Sequence, residues 1–114
     1  MKHKMNLIKE PFDKIASGQK TIELRLYDEK RRAVGVGDVI TFVCTEDSRQ
    51  ISTRVVALYV FDSFEELYKN LPLDRCGYSS DEITSAHWSD MGKYYSEEEM
   101  KKYGVVGIEL ALIK

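Results

Sequence analysis

The segment 18–25, with the sequence GQKTIELR, concentrates side chains that suit binding or catalysis. Lys20 and Arg25 offer N–H donors for carboxylate, carbonyl or phosphate oxygens. Glu23, between them, can accept a hydrogen bond from an amino group, as acidic side chains do with the N4 amine of cytosine. The three side chains predict a surface that reads a nucleobase edge or a phosphate, with a nucleic-acid backbone held nearby by Lys30, Arg31 and Arg32.

The alternation of side chain types along this segment predicts a β-strand. Apolar residues at 22, 24 and 26 alternate with Thr21, Glu23, Arg25 and Tyr27, so these four side chains share one face. If that face is partly buried, the neighbouring cations keep Glu23 ionised. The alternative is an ordinary ion pair between Glu23 and Arg25 on a solvated face, which contributes about 0–1 kcal/mol.

Metal and cofactor chemistry have no recognisable signature in the sequence. The two histidines, His3 and His87, are far apart, and there is no HExxH, CxxC pair, acidic calcium loop, GxSxG elbow or P-loop. We therefore expect no metal and no cofactor. His87, next to Trp88, has a structural role in this interpretation, and Cys44 and Cys76 are expected to be reduced thiols.

Several aromatic residues in the second half have two open interpretations. They stack on bases, as in many single-strand binders, or they pack in the core or at an interface. The residues concerned are Trp88, Tyr94, Tyr95 and Tyr103.

Composition indicates one globular domain spanning all 114 residues. Hydrophobic residues make up 43% and charged residues 32%, and the net charge is −2, which argues against bulk attraction to nucleic acid but not against a local basic groove. The first residues show no apolar h-region, and nowhere do about 18 apolar residues run together, so we expect a cytoplasmic protein that does not enter the membrane.

The predicted elements describe an α+β fold. A helix begins at Pro11 and ends at Gly18, and three Ser-x-x-Glu capping boxes predict further helices over 64–70, 80–89 and 97–103. Strands are predicted over 4–9, 21–27, 39–44, 51–60 and 105–114. This order predicts an antiparallel or mixed sheet, or a small β-barrel, with short helices at its side, in which the last strand returns to pair with an early one.

The joint pattern resembles the ASCH (activating signal cointegrator homology) domain family over nearly the whole chain. The resemblance is carried by Gly18, Lys20, Glu23 and Arg25, by the Gly37-Asp38 pair, and by a closing YGVVGIEL that is similar to that of small bacterial members. It implies a PUA-like β-barrel with a cleft beside the motif strand, and a role in RNA binding. Related branches include acetylcytidine amidohydrolases and a ribonuclease.

The resemblance also suggests roles for individual residues. In the amidohydrolase branch the lysine matching Lys20 is catalytic, and a catalytic threonine occupies the position that is Glu23 here. The glutamate which that branch uses after its central strands is matched here to Glu82. Thr21 supplies a hydroxyl, but two positions before the one that the branch's pattern requires.

Two functions of different classes follow. The first is a module that binds RNA, a nucleotide or a nucleoside through Lys20, Thr21, Glu23, Arg25, Lys30 and Arg31. The second is an enzyme, an amidohydrolase of acylated cytidine nucleosides or a ribonuclease, with Lys20 as base or proton shuttle after desolvation and Glu23 activating a water. An interaction domain with an unused cleft is a third reading, and the sequence does not indicate an oligomeric state.

Overall fold

The computed structural model describes residues 1–113 as one five-stranded mixed sheet that curls into a half-barrel, with short helices around it. The strands are β1 (Lys2–Leu7), β2 (Ile22–Leu26), β3 (Val39–Cys44), β4 (Gln50–Phe61) and β5 (Val105–Leu112). Their order in the sheet is β1-β3-β4-β5-β2, with β1 and β3 parallel and the other pairs antiparallel. The α+β fold class is confirmed, and the last strand pairs with an early one, β2, as expected.

The α-helices are short and lie between the strands. They are α1 (Lys9–Ser17), α2 (Glu29–Arg32), α3 (Phe64–Asn70) and α4 (Glu97–Tyr103), and two 3₁₀ segments cover Ile83–Ser85 and Trp88–Lys93. No helix within residues 1–113 is long and apolar enough to cross a membrane. Helices this short are unstable alone, so packing against the sheet holds them.

Two apolar cores lie on opposite sides of β2. The first core joins α1 to the sheet and includes Met5, Phe12, Ile40, Phe42 and Ile108. The second core packs one face of β2 against α3 and later segments, and includes Ile22, Leu24, Leu26, Phe64 and Leu67. Because strand side chains alternate, the residues between those of the second core must point toward the first core and the open edge of the half-barrel.

Two predicted boundaries at the start of the chain are wrong by two residues. The first strand covers Lys2–Leu7 instead of 4–9, and α1 begins at Lys9 rather than at Pro11. Pro11 is the third helical residue, where the backbone N–H has no partner within the helix in any case, so proline is accommodated there. Gly18 ends α1 in the left-handed conformation, with φ 86°, as predicted.

The predicted helix over 80–89 is also wrong. The capping contacts between Ser79 and Glu82 do form, with Ser79 N–H donating to Glu82 Oε1 at 3.0 Å and Glu82 N–H to Ser79 Oγ at 3.3 Å. Only 3₁₀ segments follow, because Ile83 and Trp88 are both more than one-third exposed and no apolar stripe anchors a helix to the core. The box at Ser96 and Glu99 does begin a helix, α4, which ends at Gly104 as predicted.

Candidate functional site

The charged residues of the motif strand project into the half-barrel from β2. Ile22, Leu24 and Leu26 are held in the second core, so Glu23 and Arg25 point the other way, and Tyr27 packs against the first core. Lys20 lies just before the strand, and its ammonium group contacts the Glu23 carboxylate on the same face. The predicted common face therefore exists, but it is an interior face rather than a solvated one.

Glu23 is the centre of a buried ion triad. Its Oε1 lies 2.7 Å from Lys20 Nζ, and its Oε2 lies 2.8 Å from Arg25 Nε. The side chains of Lys20, Glu23 and Arg25 are only 10%, 4% and 12% exposed. An ion pair this buried is poorly screened by solvent, so the interpretation of a surface salt bridge does not apply here.

The electrostatics of the triad keep Glu23 and Arg25 charged. Burial by itself raises the pKa of Glu23, but the charges and hydrogen bonds of Lys20 and Arg25 outweigh it and hold that pKa at about 2. Burial also opposes the charge of Arg25, and the Glu23 carboxylate raises its pKa in return. With two cations and one anion, the triad carries a net charge of +1 on the cavity floor.

Arg25 also links the two edge strands of the sheet. Its Nη2 donates to the backbone carbonyl of Asn6 on β1 at 3.0 Å. Because β1 and β2 are the ends of the strand order, no backbone ladder joins them. The guanidinium bridges this seam, and the triad lies at the opening of the half-barrel.

A cavity of about 600 Å³ opens above the triad. Lys20, Glu23 and Arg25 line its floor, and the segment from Cys76 to Tyr95 contributes much of its wall, including Tyr78, Asp90 and Tyr95. Gly77 allows this segment to pack on the floor: its φ is 112°, and a Cβ there would lie 3.3 Å from Lys20 Cδ. A side chain at this position would therefore press on the stem of Lys20.

A chain of hydrogen bonds runs along the cavity wall. Tyr78 Oη donates to Asp90 Oδ2 at 2.6 Å, and the oxygens of Tyr68 and Tyr78 are 2.7 Å apart. The His87 backbone N–H also donates to Asp90 Oδ2, at 3.1 Å. Sequence reasoning missed this network because its members are 10 and 12 positions apart and do not share one helix or strand whose period would relate them. The His87-x-x-Asp90 capping spacing was the one available signal.

Lys14 ties α1 to the same wall. Its Nζ donates to the Gly77 carbonyl at 2.6 Å and lies 3.3 Å from Glu82 Oε1 and 3.4 Å from Glu10 Oε1. Glu82, which the resemblance suggested as a second carboxylate, lines the cavity, and hydrogen bonds from Ser79 followed by the hydrogen bond and charge of Lys14 lower its pKa to about 2. Its Oε1 is thus occupied by contacts that hold the wall in place.

The remaining predicted ligand-binding residues do not line this cavity. The Thr21 hydroxyl is buried and has no hydrogen-bond partner within residues 1–113. Lys30 is exposed on α2, and Arg31 Nη1 pairs with Asp28 Oδ2 at 3.0 Å. Arg32 donates to the backbone carbonyls of Tyr27 and Tyr103. The structure therefore brings together Lys20, Glu23 and Arg25, while the basic cluster lies outside the cavity lining.

The aromatic residues divide between the two interpretations left open by the sequence. Tyr94 is 60% exposed at the cavity, whereas Tyr95 lines the cavity and stacks on Phe64 with ring centroids 6.1 Å apart. Tyr103 packs against the second core, and Trp88 lies beside the His87 ring, away from the cavity lining. Tyr94 is thus the aromatic side chain most available to a ligand.

The two histidines make contacts that hold the fold together, and the two cysteines are buried. His3 Nε2 lies 2.8 Å from Asp38 Oδ2, which ties the turn before β3 to β1, and His87 caps the second 3₁₀ segment. Cys44 and Cys76 are unpaired and buried, and burial raises the pKa of Cys76 to about 12. Residues 1–113 contain no group of three or more His, Cys, Asp or Glu side chains that could hold a metal ion.

Comparisons with protein families and solved structures show which proteins this chain is similar to. The family model of the ASCH domain matches residues 5–114, whereas no curated protein matches the sequence. The crystal structure of hypothetical protein PH0355 is 37% identical, with a TM-score of 0.82, and the match covers 99% of this chain and 100% of that one. The solution structure of protein PF0455 from Pyrococcus furiosus is 38% identical, with a TM-score of 0.72, over 100% of this chain and 99% of that one.

A more distant structure shares the fold alone. The crystal structure of ASCH from Zymomonas mobilis is 19% identical, with a TM-score of 0.63, and the match covers 95% of this chain and 65% of that one. The half-barrel with short helices is therefore retained where little sequence identity remains.

Proposed function

The chain belongs to the ASCH domain family, and from this premise we propose that it binds RNA or a nucleotide through the cavity above the triad. The observation that supports this function most directly is the buried Glu23 carboxylate, held ionised between Lys20 and Arg25 on the cavity floor. A protein with this function would act in the cytoplasm.

The triad offers a ligand one acceptor flanked by donors. Lys20 and Arg25 each use one N–H on Glu23, and Arg25 uses another on Asn6, so both retain further N–H groups. The Glu23 oxygens retain lone pairs for an amino group. Cytosine has the complementary edge, because its N4 amine donates while its ring nitrogen and carbonyl oxygen accept.

The size and rim of the cavity agree with a nucleotide. A volume of about 600 Å³ lies within the roughly 300–1,000 Å³ of ligand pockets. The exposed ring of Tyr94 at this cavity provides a stacking surface, which is worth about 1–3 kcal/mol per base in single-strand binders. A single unstacked base on the floor is the expected mode of RNA recognition.

In this proposal the basic cluster provides backbone affinity in longer RNA. Lys30 is exposed, and Arg31 uses only part of its guanidinium on Asp28. Contacts from Lys30 and Arg31 to phosphates would release counterions, so affinity for an RNA oligomer falls as salt rises.

The test is a calorimetric titration of the protein with cytidine, cytidine 5′-monophosphate and a short single-stranded RNA. We expect Lys20→Ala to weaken all three by about tenfold or more, because a charged hydrogen-bond donor is lost from a buried site. Lys69→Ala is the matched control, since Lys69 is exposed on α3 and lies outside the cavity lining. Affinity for the RNA that is independent of salt and that survives Lys20→Ala would overturn the proposal.

A second candidate is an enzyme that uses the same residues. The observation in its favour is the 2.7 Å contact between Lys20 Nζ and Glu23 Oε1 on the floor of a ligand-sized cavity. As an amidohydrolase it would convert acetylcytidine and water to cytidine and acetate, and as a ribonuclease it would cleave RNA. A carboxylate with a pKa of about 2 is a weak base at neutral pH, so this chemistry is less well supported than binding.

The two candidates are separated by following turnover. Wild type and Lys20→Met are incubated with acetylcytidine and with RNA, and released cytidine and cleaved RNA are measured. Turnover by the wild type that is lost in Lys20→Met would favour the enzyme. Binding without turnover would favour the binding module.

A further inference from the structure

We propose that the cavity wall contains a second subsite, which takes the sugar and phosphate of a ribonucleotide. In this subsite Asp90 Oδ1 accepts a hydrogen bond from the ribose 2′-hydroxyl, and the Lys93 ammonium pairs with the phosphate. Both residues line the cavity that holds the triad. The inference rests on the proposed function and extends it to a choice of ribonucleotide over deoxyribonucleotide.

The Asp90 carboxylate is fixed in orientation and only half used. Its Oδ2 accepts from both Tyr78 Oη and the His87 backbone N–H, at 2.6 and 3.1 Å. Its Oδ1 accepts no hydrogen bond from any group within residues 1–113. The hydrogen bonds from Tyr78 and from His87 lower the pKa of Asp90, so the free oxygen belongs to an anion at neutral pH.

The direction of the hydrogen bonds along the wall determines whether a ligand must donate or accept a hydrogen bond there. Tyr78 has one proton and gives it to Asp90, so Tyr68 must be the donor in the Tyr68–Tyr78 contact. Burial and then the hydrogen bond to Asp90 raise the pKa of Tyr78, which keeps its proton in place. With these donors occupied and an acceptor left open on Asp90, the subsite fits a ligand hydroxyl group.

Lys93 supplies the positive charge that such a ligand would need next to its sugar. Its side chain lines the cavity and forms no ion pair with any group in the described part of the chain, 1–113. It is close enough to Asp90 for its charge to contribute to the lowered pKa of that carboxyl group. The Asp90 carboxylate, as a hydrogen-bond acceptor, and the neighbouring Lys93 cation match a hydroxyl and a phosphate on one ribose.

The subsite adjoins the triad, as a base joined to its sugar requires. Tyr78 directly follows Gly77, whose position is within van der Waals reach of the Lys20 stem. The base would therefore lie over Lys20, Glu23 and Arg25, with the sugar against Tyr78 and Asp90.

The experiment compares cytidine, cytidine 5′-monophosphate and its 2′-deoxy analogue by calorimetry with the whole chain at fixed ionic strength. We expect the wild type to prefer the ribonucleotide over the deoxyribonucleotide by about tenfold or more, the size of one hydrogen bond to a charged group. Asp90→Asn should abolish that preference by weakening the ribonucleotide alone. Lys93→Ala should weaken both monophosphates and leave cytidine unchanged.

Two further variants separate recognition from folding. Tyr78→Phe keeps the ring but removes the donor that orients Asp90, so it should reduce the ribose preference even if Asp90→Asn does not fold. Glu98→Gln, on the exposed side of α4 and away from the cavity lining, is the control and should change nothing.

The outcomes distinguish the two proposals. Equal affinity of the wild type for the two monophosphates, or equal weakening of both by Asp90→Asn, would overturn this inference and leave base binding by the triad intact. Failure of all three ligands to bind, together with failure of the short single-stranded RNA, would overturn the proposed function as well as this inference.

Discussion

Glu23 belongs both to the proposed ligand site and to the contacts that stabilise the fold. Its side chain is only 4% exposed, and each of its oxygens contacts a cation within 3 Å. Removal of one partner from a buried ion pair is strongly destabilising, because the charge left behind is not solvated. In the proposed function the carboxylate is the acceptor offered to a ligand, and in the fold it is the group that allows Lys20 and Arg25 to be buried beside each other.

At the residue scale we expect Glu23→Gln to lower the free energy of unfolding at pH 7 by about 3–5 kcal/mol, since two buried cations lose their counterion. The pKa of Glu23 is depressed from 4.5 to about 2, so its contribution is fully present above pH 4.5 and is lost as the pH falls toward 2. The difference between wild type and variant should close over that range, measured by urea denaturation at several pH values.

The control for this prediction is an exposed glutamate in a weak ion pair. Glu65 lies 3.8 Å from Lys69 on α3, and Glu65→Gln should change stability by less than about 1 kcal/mol. A gap between wild type and Glu23→Gln that stays constant from pH 7 to pH 2 would show that the carboxylate charge does not contribute as described.

At Glu23 the sequence predicted the face of the strand correctly but not the burial of the side chain. Alternation along residues 21–27 correctly placed Glu23 and Arg25 on one face of a strand. It did not indicate burial, because the wall that covers this face comes from residues 76–95, more than 50 positions away. Local periodicity carries information about which side a residue faces, but not about which distant segment covers that side.

At the element scale, the segment between α3 and α4 is where sequence reasoning failed and where the cavity wall is built. A capping box predicted a helix, yet the segment turns twice in 3₁₀ conformation and is held by side chains. The contacts of Lys14, Tyr78 and Asp90 attach it to α1, to α3 and to itself. Such contacts have no sequence period, so composition and spacing do not reveal them.

Gly77 is the position at which this wall meets the floor, and Gly77→Ala tests that contact. Its φ of 112° and the 3.3 Å approach of a new Cβ to Lys20 Cδ both oppose a side chain. We expect a loss of about 1–2 kcal/mol of stability in urea denaturation, together with weaker nucleotide binding.

Gly92 is the matched control for Gly77, because it lies in the same wall and a Cβ there meets no heavy atom within 4 Å. Gly92→Ala should leave both stability and binding within about 0.5 kcal/mol of the wild type. Equal effects of the two substitutions would contradict the role given to Gly77.

At the scale of the whole molecule, the half-barrel is open along one seam, and the site is built there. β1 and β2 are edge strands, and Arg25 crosses between them to the Asn6 carbonyl at 3.0 Å. The sequence predicted β3, the pairing of β3 with β4 and the return of the last strand to an early one, which the structure identifies as β2. The sequence did not predict that a side chain closes the seam, because nothing in the residue types or spacing of Asn6 and Arg25 indicates that they are in contact.

The last prediction tests this seam with Arg25→Lys. A lysine keeps the positive charge beside Glu23 but has no guanidinium to reach Asn6 at the same time, so the bridge is lost. We expect stability to fall by about 1 kcal/mol and amide hydrogen exchange in β1 to accelerate, measured by mass spectrometry. Arg54→Lys is the control: Arg54 also donates to a backbone carbonyl, that of Gly37 at 2.7 Å, but on the exposed surface. If the two variants accelerate exchange in β1 equally, or neither does, the seam is held by the apolar cores alone and Arg25 acts only through Glu23.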